Sequence, residues 1–269
     1  MISLRGKRAL VTGGSRGIGA ATALLLAECG ADVGIGYRSR QNDAADVVQR
    51  LAGLGVRAFA HSADISTLAG TASLFDRAER EFGGLDIFVG NAGIWPPHDV
   101  ALGDMTDEQW RRTMTENTDA MFYTTRAAAR RLERGGRIVL VSSTAGQRGE
   151  AYHADYAASK GAMISFVKSL AVELASRAIT VNSVAPGWVD TEMVATALES
   201  EGRDRIASAI PVGRVATAHD IAGPIVFLCS DLARHITGEK LIVDGGIVNC
   251  NSYSGLSATN IAAQAARNR

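Results

Sequence analysis

The chain has 269 residues, 46% of them hydrophobic, with 29 glycines, enough apolar material and turn-forming residues for one large α/β domain. Lysine plus arginine equals aspartate plus glutamate at 28 each, so no global field recruits nucleic acid or an anionic membrane, and any anion must be recognised locally. Cys29, Cys229 and Cys250 have neither disulfide nor metal-ligand spacing, and no apolar run reaches the ~18 residues of a membrane span, so a cytoplasmic protein without a metal is expected.

Arg8 to Thr12 reads as a short apolar strand, and Gly13-Gly14-Ser15-Arg16-Gly17-Ile18-Gly19 leads from it into a helical run, Ala20 to Cys29. Strand, glycine turn and helix in succession is the setting of a dinucleotide phosphate site. The glycines permit a tight turn and close backbone approach, and the helix N-terminus faces the charge. Glycines at 13, 17 and 19 depart from the common G-x-G-x-x-G spacing. The second strand, Asp32 to Tyr37, ends in Arg38-Ser39-Arg40 instead of the acidic residue that would hold a ribose 2′-hydroxyl. Arg38 and Ser39, with Arg16, would meet a 2′-phosphate, favouring NADP(H) over NAD(H). Arg40 reads as solvated surface charge.

The alternation continues with a helix from Asp43 to Leu54, a strand from Val56 to Ala60, a helix from Thr67 to Phe82 and a strand from Leu85 to Val89. Strands separated by helices of this length predict a parallel sheet covered on both faces. Asp64, followed by Ile65, either holds an adenine amino group or caps the next helix. Gly90-Asn91-Ala92-Gly93 lets the chain pass close to a cofactor, with Asn91 bracing the sheet. Ile94 to Met105, containing Trp95, Pro96, Pro97 and His98, is the first long irregular stretch; its place past a strand's carboxyl end makes it one wall of a substrate pocket. His98 reads as a solvated loop residue. Thr106 and Gln109 resemble a capping box that starts a helix at Asp107. The helical run Glu116 to Leu132 carries Asn117 among apolar neighbours, and a buried amide needs partners. It holds either a water or backbone near Lys160, or satisfies its own helix.

Arg137 to Val141 is a strand delivering Ser142 and Ser143, and Tyr156-Ala157-Ala158-Ser159-Lys160 opens a helix that runs to about Arg177. Tyr156 and Lys160 then share one helix face. A phenol that ionises at about 10 needs about 4 kcal/mol to release its proton at neutral pH. A unit charge about 4 Å away, at an effective dielectric of about 20, supplies roughly that much. Lys160 is therefore expected to lower the pKa of Tyr156.

A sixth strand, Thr180 to Val184, is broken by Pro186 and Gly187, after which Val189 backbone and Thr191 would meet a nicotinamide carboxamide. Glu192 to Ile210 is weakly amphipathic and reads as a lid that would exclude water. A helix from Asp220 to Ser230 and a strand from Leu241 to Val243 close on Asp244-Gly245-Gly246. The reading is one domain over 1–246, substrate pocket included, and a tail over 247–269 that is mobile or touches another subunit, with two helical turns at Ile261 to Arg267. Trp95, Ser143, His153, Trp188 and Met193 are the candidate substrate-pocket residues.

With these residues in hand, the sequence resembles the short-chain dehydrogenase/reductase family over residues 4–246. The shared motifs are T-G-x-x-x-G-I-G at Thr12 to Gly19, N-A-G at Asn91 to Gly93, Asn117, Ser143, Tyr156-x-x-x-Lys160, Pro186-Gly187 and Asp244-Gly245-Gly246. The resemblance implies a single-domain Rossmann fold with a doubly wound seven-stranded parallel sheet, and a homotetramer. It implies that Tyr156 is the acid in reduction and the base in oxidation, and that Lys160 lowers its pKa and holds the nicotinamide ribose. Ser143 would orient the carbonyl and Asn117 would carry a proton-relay water. NADP(H) would lie against the glycine loop from Gly13 and Ser15 to Ile18 and Gly19, with Arg38, Asp64, Asn91, Ala92, Gly93 and Thr191. The nearest likeness is to 3-oxoacyl-(acyl-carrier-protein) reductases, which would place Arg134 and Arg177 toward an acidic carrier protein. The expected activity is NADPH-dependent reduction of a ketone, with a 3-oxoacyl thioester as one substrate class. Oxidation of a small alcohol, diol or sugar is the enzymatic alternative. An NADP(H)-sensing binding protein is the non-enzymatic one, against which the joint presence of Tyr156, Lys160 and Ser143 speaks.

Overall fold

The computed structural model describes residues 2–250. Its strands are β1 (Arg8–Thr12), β2 (Asp32–Tyr37), β3 (Ala58–Ser62), β4 (Leu85–Gly90), β5 (Leu132–Val141), β6 (Thr180–Pro186) and β7 (Lys240–Val243). They form a single seven-stranded sheet in the order β3-β2-β1-β4-β5-β6-β7, and every pairing is parallel.

Side chains alternate across each strand, which divides the core in two. Val11, Ile35, Val89 and Val139 face one layer, with helices α1 (Gly17–Glu28) and α2 (Gln41–Gly53) and a late helix, Ala218–Cys229. Leu10, Phe88, Ile138 and Leu140 face the other, built on α3 (Leu68–Phe82) and two longer helical stretches. The first of these starts as α4 (Asp107–Thr113), widens into a π-helical turn at Met114–Asp119 and continues as α5 (Ala120–Arg131). After a short α6 (Ala145–Arg148), the second is α7 (Ala154–Glu173). Both faces of the sheet are thus covered, as parallel sheets require. Beyond β6 come a 3-10 turn at Glu192–Val194, α8 (Ala195–Glu201) and α9 (Arg203–Ser208), then α10, the helix at Ala218–Cys229.

Most element bounds expected from sequence agree within two or three residues, with three physical exceptions. The helix expected from Glu116 is the second half of a longer one, because Thr106 accepts the amide hydrogen of Gln109 at 3.1 Å and the chain stays helical from there through the π turn. The Gln109 side chain does not complete the capping box; it donates to Asp155 at 3.3 Å. Strand β5 starts five residues before Arg137, since Leu132 already pairs with Leu85. Past Gly246 the chain still belongs to the fold: the Val248 amide donates to Asp244 at 2.8 Å, and Ile247 packs against the cluster of Leu198, Ile206, Ile210 and Val215. The helical turns expected at Ile261 to Arg267 lie outside the described residues. Among the described residues, no helix is long and apolar enough to cross a membrane.

The strand order reverses direction between β1 and β4, the switch point where open α/β sheets bind ligands. Thr12 ties the two strand ends together there. Its buried hydroxyl oxygen accepts the amide hydrogens of Asn91 at 3.0 Å and Ala92 at 3.1 Å. Thr12→Val keeps the shape but strands both amides, and is expected to lower unfolding stability by about 2 kcal/mol. Urea unfolding checks this through a lower midpoint at an unchanged slope; an unmoved midpoint would contradict the role given to the hydroxyl.

Candidate active site

A cleft of about 300 Å³ opens over the carboxyl ends of β1, β4, β5 and β6. Its floor is the glycine loop. Gly13 has φ of 64° and Gly17 of 53°, a left-handed backbone that side chains resist. Gly19 does not line the cleft; a β-carbon on it would sit 2.2 Å from the Gly13 carbonyl oxygen, so it lets α1 pack under the loop. No side chain caps the first turn of α1, which leaves its amide hydrogens directed at the cleft, a cradle suited to a pyrophosphate. Asn91 donates to the carbonyls of Thr12 and Gly13 at 3.0 and 3.2 Å, so it braces the sheet as its position suggested. Ser15, Arg16, Ile18, Ala92, Gly93, Ile65, Pro186, Gly187, Val189, Thr191 and Met193 all line the same cleft.

At its reactive end, α7 presents Tyr156 and Lys160 on one face, and β5 delivers Ser143 opposite them. Both α7 residues are buried, at 9% and 4% exposure. The Lys160 ammonium donates to the Val141 carbonyl at 3.0 Å and lies 5.8 Å from the Tyr156 ring centre. Close packing sets this geometry: a β-carbon on Gly146 would meet the Lys160 carbonyl carbon at 2.5 Å, and the Ser142 hydroxyl donates to the Lys160 carbonyl at 2.8 Å.

Among the protein's own groups, burial dominates the electrostatics of the phenol. Burial pushes the Tyr156 hydroxyl up to about 12, with the Ser143 hydroxyl pulling the other way and Glu150 adding to the rise. The same burial pushes Lys160 down to about 8. Desolvation disfavours both charged forms. The protein's own groups therefore keep Tyr156 protonated, in the state of a proton donor.

Asn117 sits in the π turn and is fully buried. Its oxygen accepts from the Ile94 amide at 2.7 Å, while its nitrogen donates to the Ile94 carbonyl and the Ser159 hydroxyl, both at 3.0 Å. The side chain is thus committed to fixing the chain after Gly93, where a β-carbon would lie 2.9 Å from the Asn117 oxygen and 3.2 Å from the Lys160 nitrogen.

At the other end, Arg16, Arg38, Ser39 and Arg40 line the cleft. Arg38 pairs with Glu116 at 2.5 Å, and Arg16 and Arg40 both pair with Glu192, Arg40 at 3.1 Å. Arg40 is an exposed, paired charge as expected, and it also borders the cleft. Asp64 accepts from the Ser66 hydroxyl at 2.6 Å, and that bond, with the field of Arg38, holds its carboxyl below the usual range. Thr67 caps α3 through the Gly70 amide at 3.0 Å, leaving Asp64 on the cleft wall.

Three of the residues expected in the substrate pocket do not line this cleft. His153 is buried and bonds the Pro96 carbonyl at 2.9 Å, with Trp95 stacked on it at 4.6 Å. Trp95 faces a second cavity, of about 450 Å³, which it shares with an exposed His98. The Trp95 indole also donates to Glu150 at 3.1 Å, and burial raises the Glu150 pKa. These residues shape the loop that walls the pocket. Trp188 packs into the cluster under α8 and α9. Arg134 is exposed, but Arg177 is half-buried and donates to the carbonyls of Ala129 and Leu132, clasping the end of α5.

Sequence reasoning missed Glu116, Glu192 and Asp155. Asp155 is fully buried beside Tyr156 and accepts from the Thr113 hydroxyl and its neighbour's amide, at 2.7 and 2.8 Å, joining α4 to the start of α7. Its place directly before Tyr156 was the available signal.

A protein-family model described as enoyl-(acyl carrier protein) reductase matches residues 13–248. The 3-oxoacyl-(acyl-carrier-protein) reductase FabG of Escherichia coli is 41% identical over 248 residues, covering 91% of this chain and 99% of that protein. The L-rhamnose 1-dehydrogenase (NAD(P)(+)) of Azotobacter vinelandii is 39% identical over 248 residues, covering 90% and 96%. A short chain dehydrogenase from Burkholderia cenocepacia, solved in complex with NADP, superposes with a TM-score of 0.85 at 41% identity, over 91% of this chain and 98% of that one.

Phenolate absorbance, followed as pH rises in wild type and Tyr156→Phe, is expected to differ only above about pH 10, after ordinary tyrosines have titrated. A step near neutrality present only in wild type would mean that burial does not govern the phenol.

Proposed function

The chain belongs to the short-chain dehydrogenase/reductase family, and we propose that it is an NADPH-dependent carbonyl reductase working reversibly between a ketone and a secondary alcohol. The observation that carries this reading is one cleft with a buried Tyr156 and Lys160 beside Ser143 at one end and three guanidinium groups at the other.

The residues present fit NADP(H). The uncapped α1 N-terminus and the glycine loop suit a pyrophosphate, and Arg16, Arg38 and Arg40 suit a 2′-phosphate. Thr191, the Val189 backbone and Lys160 line the cleft; the first two would hold the carboxamide, and Lys160 the nicotinamide ribose. When bound, the dihydronicotinamide supplies the hydride that reduces the carbonyl carbon.

Tyr156 then gives its phenolic proton to the carbonyl oxygen, and Ser143 hydrogen-bonds the same oxygen to orient it. Burial favours this direction, because a phenol held up to about 12 is protonated throughout the neutral range. The Lys160 ammonium opposes the negative charge left on the phenolate. In oxidation the phenolate takes the proton back. Asn117 and Asp155 act behind this group: one fixes Ile94 and Ser159, the other anchors the first turn of α7.

The likeness to FabG supports a 3-oxoacyl thioester as substrate, with the exposed Arg134 as the contact for an acidic carrier protein and Arg177 as its structural support. A homotetramer in the cytoplasm belongs to the same reading.

NADPH consumption, followed by absorbance, tests the proposal with a 3-oxoacyl group on carrier protein, the same group on a small thiol, and simple ketones. Turnover is expected, highest on the carrier-bound substrate, and Tyr156→Phe is expected to lower kcat by about a hundred- to ten-thousand-fold. Unchanged turnover in Tyr156→Phe would remove the phenol from the chemistry, and activity confined to free ketones would leave Arg134 an ordinary surface charge.

A further inference from the structure

The cations at the adenosine end of the cleft are not free. Glu192, the first residue of the 3-10 turn leading into α8, reaches back across the cleft mouth to pair with Arg16 from the glycine loop and with Arg40 after β2. These partners are 176 and 152 residues away in sequence. Glu192 is thus the segment's long-range ionic attachment to the glycine-loop side. At its root, a β-carbon on Gly17 would lie 3.4 Å from the Thr191 methyl carbon. Asp190, just before it, pairs with Arg203 of α9 at 2.9 Å.

A carboxylate placed between two guanidinium groups has the charge and hydrogen-bonding pattern of a phosphate edge. Asp43 also approaches Arg40, at 3.9 Å, so the two guanidinium groups face two carboxylates, and a dianion gains this seat by displacing Glu192. The second neighbouring pair, Arg38 with Glu116 at 2.5 Å, repeats the arrangement deeper in the wall.

We propose that Glu192 is a specificity-determining latch: it holds the turn before α8 onto the 2′-phosphate seat and is displaced by a ligand's 2′-phosphate. Both anions cannot share Arg16 and Arg40, since like charges at contact distance repel. A ligand that carries the 2′-phosphate therefore frees the segment from Glu192 to Ser208, whereas one that lacks it leaves the latch closed. NADP(H) and NAD(H) then differ in the state of the lid as well as in affinity. This inference rests on the reading of the cleft as an NADP(H) site.

The test uses the full chain with two fragments, 2′-AMP and 5′-AMP, and needs no turnover. By calorimetry, Glu192→Gln is expected to bind 2′-AMP about fivefold tighter than wild type, the size of one exposed competing ion pair, with 5′-AMP changed by less than about twofold. Glu192→Ala should give the same result; the side chain is 57% exposed, so neither change disturbs the core. By hydrogen exchange, 2′-AMP should speed the amides of α8 and α9 in wild type, and these should already be fast in Glu192→Gln without ligand. If wild type prefers 2′-AMP but both variants bind it no tighter, the latch is overturned and the cofactor reading stands. If wild type binds 2′-AMP no better than 5′-AMP, the phosphate seat itself is overturned, and the latch with it.

Discussion

Burying the Lys160 ammonium on the same helix face as the Tyr156 phenol is the constraint from which the reactive end of this protein is built. Neither ionised phenol nor ammonium is comfortable out of water, and burial moves each toward its neutral form, Tyr156 up to about 12 and Lys160 down to about 8. Lys160 keeps its charge below that value through the Val141 carbonyl. The surrounding sequence follows from holding this pair in place. Gly146 admits the close approach of α6 to the Lys160 backbone, Gly93 leaves room for the ammonium and Asn117, and Asn117 grips Ile94 and Ser159 from a widened helical turn. Asp155 fixes the start of the helix from the other side.

The cleft is divided electrostatically along its length. Its reactive end is desolvated, where one cation and one phenol interact strongly. Its far end is half exposed, and three arginines face carboxylates from the opposite wall. Such exposed pairs contribute little to stability, yet they preset the charge that an incoming phosphate must displace. The topology places both ends over the same strand termini, so one ligand can span them.

Much of this was legible locally. Strands β1 and β2 match their expected bounds because apolar runs ended by glycine or arginine leave little choice. Tyr156 and Lys160 share a face because helical geometry alone puts them there. What sequence did not disclose depends on contacts made across the fold. Glu116 looked like the start of a helix, and Glu192 like part of a lid; their partners, 78 and 176 residues distant, are chosen by the walls of the cleft. His153 and Trp188 had the chemistry of pocket residues, but one is stacked beneath Trp95 and the other anchors the segment after β6. For Tyr156 the sequence offers the pair spacing to Lys160 but not the burial that dominates its hydroxyl. Burial belongs to the tertiary structure.

The central claim is that the Lys160 charge, retained against burial, is what lets a protonated Tyr156 give up its proton. The most direct measurement is kcat for carbonyl reduction from about pH 6 to about pH 10, in wild type and Lys160→Arg. Lysine is charged below its folded pKa and neutral above it, so wild-type kcat should hold at low pH and fall as pH rises through about 8. Lys160→Arg, whose guanidinium stays protonated, should be slower but flat across the range. A flat wild-type profile, or the same fall in both proteins, would contradict the account.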